Sequence, residues 1–338
     1  MHIFYVKTVN FVQILCRMKR IARLFGILLM LALYGCTGGD RYVAMKGFAQ
    51  GGTWTVKANL RGVRLSPQAV RDSIDAILVE IDTTLSGYNK GSVLSRRNAG
   101  DTSINNLMFR QMCAIADSLR EHTGGALDCA AGALFDAWGF GFKTDSLPSA
   151  EEVAALKGDR SRWNFNAIAQ GYSCDRVAAF LYSLGVKDML VDIGEIFCDG
   201  VNPSGQGWNI GVDRPEDGNQ ERGKAMTAVW QSAGGPCGIV TSGNYRKFYI
   251  RDGRKYAHTV DPRTGWPVQH NLLSATIVAP DALTADAWAT YCMVVGVDQA
   301  RDFILSDPSV EGYLVFDDGE GMRDWASPGF TLVSTFLQ

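Results

Sequence analysis

Helical and strand-like periodicities follow one another irregularly along residues 48–338 of this chain. Residues 66–85 have apolar side chains at helical spacing, whereas residues 52–57 alternate as a strand does. Several strand-like runs come in succession as hairpins, without a helix after each. This order favours an α+β fold, with mixed and antiparallel sheets against packed helices, over a doubly wound parallel fold.

The same periodicities predict the other elements of one domain. Helices are expected at 105–122, 170–184 and 283–295 and from residue 298. Strands are expected at 188–196, 208–212, 238–241, 247–250, 256–260, 273–279, 312–316 and 329–336. No repeat or low-complexity linker divides the sequence, so we expect a single catalytic domain over 48–338.

The first 35 residues predict a signal peptide. Lys19, Arg20 and Arg23 precede an apolar run over 24–34, which is shorter than the ~20 residues that span a bilayer. Met18 is a better start than Met1, because the signal is already complete from there.

A lipid-attachment signal ends this segment. Leu33-Tyr34-Gly35-Cys36 resembles the lipobox of bacterial lipoproteins, in which the cysteine is lipidated and becomes the first mature residue. A buried thiol beside a short apolar helix is the alternative. We therefore expect Cys36 and a tether over 36–47 to hold the domain on a bacterial membrane, facing the periplasm, with the inner membrane favoured.

Charge and cysteine content exclude some functions. Without residues 1–35, 303 of the 338 residues remain, with 28 basic and 35 acidic side chains, a net charge of −7. Nucleic-acid binding requires a basic surface, so it is not expected. The six cysteines after Cys36 form no C-x-x-C pair, which argues against a zinc cluster. An extracytoplasmic location permits a disulfide, but the sequence does not assign its partners.

Asp286 and Thr290 are candidate ligands of a hard metal ion. They stand four residues apart on a predicted helix, so both lie on one face, with Cβ atoms roughly 5–6 Å apart. A carboxylate and a hydroxyl are oxygen ligands suited to Mg²⁺. The alternative is that the threonine hydroxyl bonds only its own helix backbone.

The segment 257–265 concentrates groups that handle phosphate. His258 is a candidate general base, although a core imidazole is the alternative. Asp261 and Pro262 suit a tight turn, and Arg263 offers either a phosphate contact or a structural salt bridge. Small-residue loops at 123–128 and 241–246 offer backbone N–H groups, but neither matches G-x-G-x-x-G or a P-loop.

Together these residues resemble the ApbE family of bacterial FAD:protein FMN transferases. The resemblance runs in family order over about residues 48–305. The matching segments are 52–54, 85–89, 125–128 with Leu134, 138–141, 164–172 with Asp175, 191–196, 208–212, 241–243, 258–265 and 286–290.

The resemblance implies an α+β (T-fold-like) enzyme that binds FAD and Mg²⁺ and moves FMN onto a Ser or Thr hydroxyl of an extracytoplasmic acceptor protein, releasing AMP. It implies Asp286, Thr290 and the backbone oxygen of Ala167 as Mg²⁺ ligands. It places the flavin nucleotide against Gly51, Tyr88, Ala126, Leu127, Asp128, Asn164, Gln170 and the backbone at Val260. His258 is the implied base.

The chain departs from the family pattern in three places. Gln170 stands where Lys or Glu is usual, and Asn164 stands at a usually acidic position. Ile193-Gly194-Glu195 occupies a place where two adjacent glycines are common. FAD hydrolysis to FMN and AMP, or FAD binding without catalysis, are therefore retained as alternatives.

Overall fold

The computed structural model describes residues 41–104, 106–139, 147–216, 219, 223–245, 248–251 and 254–336. The predicted signal peptide, with Met18, and the predicted lipidation site Cys36 lie outside these residues. The chain divides into units 1–41 and 42–338, and the fold below is that of the second unit. Within the described ranges, no helix is both long and apolar enough to cross a membrane.

Fifteen strands are seen in the described residues. In chain order they are β1 Tyr42–Ala49, β2 Gly52–Asn59, β3 Met189–Asp192, β4 Ile196–Asp199, β5 Asn209–Asp213, β6 Met226–Gln231, β7 Cys237–Gly243, β8 Phe248–Arg251, β9 Arg254–Ala257, β10 Val260–Asp261, β11 Trp266–Pro267, β12 Leu272–Ala279, β13 Glu311–Asp317, β14 Met322–Ala326 and β15 Leu332–Thr335.

The strands form one large sheet and three small ones. The large sheet has the order β1-β2-β3-β4-β7-β12-β13-β14, and all its neighbours pair antiparallel. A second sheet has the order β15-β6-β5, and β8-β9 and β10-β11 are two-stranded.

Eight helices are seen in the same residues. They are α1 Pro67–Leu85, α2 Val93–Asn98, α3 Leu107–His122, α4 Gly132–Ala137, α5 Ala150–Leu156, α6 Ala169–Ser183, α7 Ala282–Val295 and α8 Val297–Ser306. Local signals explain their starts. Ser66 caps α1, with proline at its first position, and Ser149 and Glu152 form a capping box at α5.

The core is layered. On one face of the large sheet, β1–β3 pack against α1 and α6, and β7, β12 and β13 pack against α7 and α8. The three-stranded sheet packs against the other face, around Trp208, Trp230 and Tyr313. Helices and antiparallel sheets thus form an α+β fold, as the sequence predicts.

The structure corrects two predicted boundaries. The expected tether over 36–47 is too long, because β1 begins at Tyr42 and pairs with β2 along its whole length, with Met45 buried. The single strand expected at 188–196 is two strands, β3 and β4. Gly194 turns the chain between them at φ 95°, in the left-handed region that favours glycine.

Candidate active site

The N-terminal ends of α6 and α7 meet at backbone contact. A Cβ on Gly171 of α6 would lie 2.2 Å from the carbonyl oxygen of Ala282 in α7. A Cβ on Gly238 of β7 would lie 2.3 Å from the Cα of Ala282. The absence of a side chain at both glycines therefore allows a strand and two helix ends to converge on one point.

Each of these two helices supplies a carboxylate to the other. Asp175 of α6 accepts hydrogen bonds from the backbone N–H groups of Ala282 and Leu283, both at 2.9 Å. Asp286 of α7 accepts one from the N–H of Gly171 through Oδ2 at 3.1 Å. The first N–H groups of a helix have no partner within it and carry the positive end of its dipole, so both carboxylates stabilise the helix ends.

Both carboxyl groups titrate far from their ordinary range. Burial raises the pKa of Asp175 to about 7, against the backbone hydrogen bonds that lower it, and the charge of Asp281 raises it further. Burial likewise raises the pKa of Asp286 to about 7, and the nearby Asp175 adds to that shift. The half-buried Asp175 and the buried Asp286 therefore favour a proton or a cation at this place.

The donor set suits a hard divalent cation. The Oδ2 atom of Asp286 accepts the N–H of Gly171 in the first turn of α6, and Ala167 lies just before that helix. The carbonyl of Ala167, the Asp286 carboxylate and the half-buried Thr290 hydroxyl are all oxygen donors. Among the described residues, no group of three or more His, Cys, Asp or Glu side chains forms a metal cluster. The predicted ligands Asp286, Thr290 and Ala167 all offer oxygen atoms, the donors that Mg²⁺ prefers.

Gln170 supports a turn beside this point. Its Nε2 atom donates to the carbonyl oxygen of Ile193 at 3.3 Å. A Cβ on Gly194 would lie 2.2 Å from that same Nε2 atom. The single glycine therefore allows the backbone of the turn to reach the side chain of Gln170.

The turn between β1 and β2 reaches the same helix end. Gln50 and Gly51 both have positive φ, 53° and 79°, and Gly51 is exposed. The side-chain amide of Gln50 donates to the hydroxyl of Ser173, which lies one helical turn after Gln170. The predicted nucleotide contact Gly51 is thereby held next to α6.

The loops around residues 126–130 and 164–168 are joined by a backbone bond. The N–H of Asn164 donates to the carbonyl of Cys129 at 2.7 Å, and the Asn164 side chain accepts from the N–H of Asn166. Ala126 and Leu127 are buried beside them. These predicted nucleotide contacts therefore lie on two joined loops, which form one wall of the predicted site.

The carboxylate of Asp128 has basic partners. Arg120 Nε lies 3.1 Å and Arg160 Nε 3.2 Å from its Oδ2 atom, and its Oδ1 atom accepts the N–H of Ala130. These contacts hold the loop in shape. Both carboxylate oxygens of Asp128, a predicted nucleotide contact, thus have protein partners.

The 258–265 segment packs against the same wall. Arg263 binds Asp261 through Nε and Nη2 at 2.9–3.2 Å, and its Cγ atom lies 3.7 Å from a Cβ built on Gly125. Of the two roles that the sequence allows for Arg263, the structural salt bridge is present. Arg263 also interacts electrostatically with Tyr291, the residue after Thr290 in α7.

Val260 and His258 occupy different surroundings in this segment. The side chain of Val260 is buried against Leu134, Trp138 and Val153, so only its backbone can face a nucleotide. His258 is half-buried, and the hydroxyl of the next residue, Thr259, bonds the side chain of Asn244 beyond β7.

The side chain of Tyr88 is 65% exposed just beyond the end of α1, and its role rests on the resemblance.

The sequence does not predict a function for Asp175, although Asp175 is the partner of Asp286. Asp281 and Thr284 form an Asp-x-x-Thr pattern, which indicates that α7 starts here with Asp281 as its N-cap. No residue near Asp281 in the sequence indicates that Asp175 caps the same helix.

The fold is α+β, and two helix ends converge on a group of oxygen donors that includes the Asp286 carboxylate. The sequence model of the ApbE family matches residues 51–314. The chain therefore belongs to the ApbE family.

Relatives and a solved structure agree with that assignment. An FAD:protein FMN transferase of Haemophilus influenzae is 28% identical over 92% of this chain and 97% of its own length. One of Escherichia coli (strain K12) is 30% identical over 87% of this chain and 90% of its own. The flavin transferase ApbE from Vibrio cholerae superposes with a TM-score of 0.75 at 27% identity, covering 86% of this chain and 99% of that one. The class of enzyme is transferase.

Proposed function

We propose that this protein is an Mg²⁺-dependent FAD:protein FMN transferase, which moves the FMN part of FAD onto a Ser or Thr hydroxyl of an acceptor protein and releases AMP. The names of the relatives support the FAD:protein FMN transfer. The observation that carries the proposal is the meeting of α6 and α7, where the Asp286 carboxylate accepts the N–H of Gly171 at the start of α6.

Asp286, Thr290 and the carbonyl oxygen of Ala167 would hold the Mg²⁺ ion. When bound, the ion would neutralise negative charge on the pyrophosphate of FAD. Asp175 is a positioning residue, since its two hydrogen bonds fix the start of the helix that carries Asp286 and Thr290.

FAD would bind along the wall described above. The wall offers Gly51, Asn164, Gln170, the backbone of 126–128 and the backbone of Val260, and Tyr88 would add an aromatic contact. Its loops are held by the bond from Asn164 to Cys129 and by the pairing of Arg263 with Asp261. Fixed loops of this kind favour positioning of the reacting atoms, which supplies much of the catalysis in phosphoryl transfer.

The transfer breaks one phosphorus–oxygen bond and forms another. The hydroxyl oxygen of the acceptor bonds the FMN-side phosphorus, and the bond from that phosphorus to the bridging oxygen breaks, so AMP leaves. His258 accepts the proton of the attacking hydroxyl. The product is a phosphoester between FMN and the Ser or Thr side chain.

We also propose that Cys36 carries the lipid that holds the enzyme on the periplasmic side of a bacterial membrane. The lipobox-like sequence supports this, and an acceptor in the same compartment would meet the enzyme there. Labelled palmitate should enter the wild-type chain in cells but not a Cys36→Ser variant. Equal labelling of both chains would overturn the proposal.

The transferase proposal is tested with the purified full chain, FAD, Mg²⁺ and an extracytoplasmic flavoprotein that has a Ser/Thr flavinylation motif. We expect the acceptor to gain the mass of FMN and in-gel flavin fluorescence, with one AMP released per FMN attached. An acceptor with alanine at the motif residue is the matched control. Free FMN and AMP with an unmodified acceptor would show a hydrolase instead, and intact FAD would show a binding protein.

A further inference from the structure

Cys198 and Cys237 face each other at the centre of the large sheet. They are register partners across the antiparallel pair β4 and β7. Their Sγ atoms are 3.7 Å apart, and both are free thiols in the structure. Both side chains contact the apolar layer between the large sheet and the three-stranded sheet.

Directly opposed positions on antiparallel strands suit a disulfide. Directly opposed residues of antiparallel strands have Cα atoms about 4.5–5.5 Å apart. Disulfide-bonded cysteines have Cα atoms about 4.4–6.8 Å apart. Side-chain rotation that closes the gap between the sulfurs is therefore enough, and the strands keep their register.

We propose that Cys198 and Cys237 form a cross-strand disulfide when the protein meets a thiol-oxidising environment. This modification site is independent of the transferase proposal. The other described cysteines differ in their surroundings: Cys174, for example, is fully buried and donates its S–H to the carbonyl of Glu195 at 3.0 Å.

The two thiols are suited to successive steps of thiol–disulfide exchange. Cys237 is half-buried, whereas Cys198 is fully buried, so an oxidant reaches Cys237 first. The hydrogen bond shared with Cys237 and burial raise the pKa of Cys198, which reacts in the second step.

The oxidant in this exchange is a disulfide, such as oxidised glutathione or the disulfide form of a protein oxidase. The Cys237 thiolate bonds one sulfur of the oxidant and releases the other as a thiol. Cys198 then loses its proton and bonds the sulfur of Cys237, which releases the second thiol. Two protein thiols are oxidised, and the oxidant disulfide is reduced to two thiols.

The bond would stabilise strands that contact the site. β4 follows the Gly194 turn that rests on Gln170, and Gly238, next to Cys237, contacts the start of α7. The link would close a 39-residue separation in sequence, so it would restrict the unfolded chain. We expect the linked protein to melt about 4–8 °C above the reduced protein.

The test uses the full chain in detergent, equilibrated in oxidised and reduced glutathione, acid-quenched, alkylated and mapped by mass spectrometry. We expect a linked peptide pair containing Cys198 and Cys237, with both thiols lost together. A Cys113→Ser variant should form the same link, whereas Cys237→Ser should lose it and keep the circular dichroism of the folded protein.

Two results would overturn the proposal. One is that Cys198 and Cys237 are both fully alkylated when the oxidised protein is unfolded and treated with the alkylating reagent. The other is a disulfide that joins Cys113 to Cys198, Cys237 or Cys129 while the pair Cys198–Cys237 is not formed. A linked form that melts no higher than the reduced form would overturn the stabilising effect.

Discussion

Asp175 and Asp286 each cap the helix on which the other resides. Asp175 of α6 accepts the first two N–H groups of α7, and Asp286 of α7 accepts the N–H of Gly171 in α6. Two segments more than 100 residues apart in sequence are thus joined by reciprocal hydrogen bonds. The arrangement brings together the groups that we propose to bind Mg²⁺.

Replacement of Asp175 should weaken the fold and the metal site together. Asp175→Ala leaves two buried N–H groups without an acceptor, which we expect to lower the free energy of unfolding by about 2–3 kcal/mol. Urea unfolding measures this, and titration with Mg²⁺ should show weaker binding. Asp302→Ala, an exposed carboxylate on α8, is the control, and an equal effect there would contradict the prediction.

A conservative change at Asp286 should separate capping from chemistry. Asp286→Asn keeps an oxygen that accepts the N–H of Gly171 but removes the buried charge. We expect the melting temperature of the metal-free protein to stay the same or rise. Flavin attachment to the acceptor should fall by about 100-fold or more. Attachment at the wild-type rate in excess Mg²⁺ would rule out Asp286 as the ligand.

The metal-free protein should lose stability as the pH rises towards neutrality. The folded-state pKa values of Asp175 and Asp286, about 7, lie above the ordinary value of 3.8. Their stabilising contribution is therefore fully present below about pH 4 and is lost as the pH rises through 7.

The wild type should lose roughly 2–4 kcal/mol more between pH 5 and pH 8 than Asp286→Asn does. Unfolding in a chelator at several pH values measures this difference. Added Mg²⁺ should offset the loss in the wild type, since a bound ion favours the ionised carboxylate. An equal change in the free energy of unfolding of the two proteins with pH would contradict the raised pKa of Asp286.

Gly171 should tolerate no side chain. In Gly171→Ala the new Cβ would meet the carbonyl of Ala282 at 2.2 Å, and that atom belongs to a helix backbone. We expect a loss of about 3 kcal/mol or more in the free energy of unfolding. Gly235→Ala, where the structure shows open space and no positive φ, is the matched control and should be close to neutral.

His258 should matter for transfer but not for FAD binding. We expect His258→Gln to slow flavin attachment by about 10²–10⁴-fold, the usual contribution of a general base. FAD affinity, measured by fluorescence quenching, should change little. His122→Gln, on the exposed end of α3, should leave both unchanged. An equal loss of FAD affinity and rate would assign His258 to binding instead.

Local patterns were sufficient to predict most elements, because helices and strands depend on spacing within a few residues. The helix expected at 283–295 is Ala282–Val295, and the strand expected at 273–279 is Leu272–Ala279. The sequence predicts one unbroken strand over 188–196, whereas the structure has a turn at Gly194. Its φ of 95° accompanies the contact with Gln170, which lies in another element.

The sequence by itself determined the periodicities, the family resemblance and the residue types that can bind a metal and a nucleotide. Only the tertiary structure decided that Asp175 shares the helix ends with Asp286, that Arg263 pairs with Asp261, and that Cys198 faces Cys237. The helix-end contacts and the cysteine pair depend on strand order and helix crossing, which bring distant residues together. The Arg263 pair is local, but the sequence allowed two partners for that guanidinium, and the packed turn leaves it on Asp261.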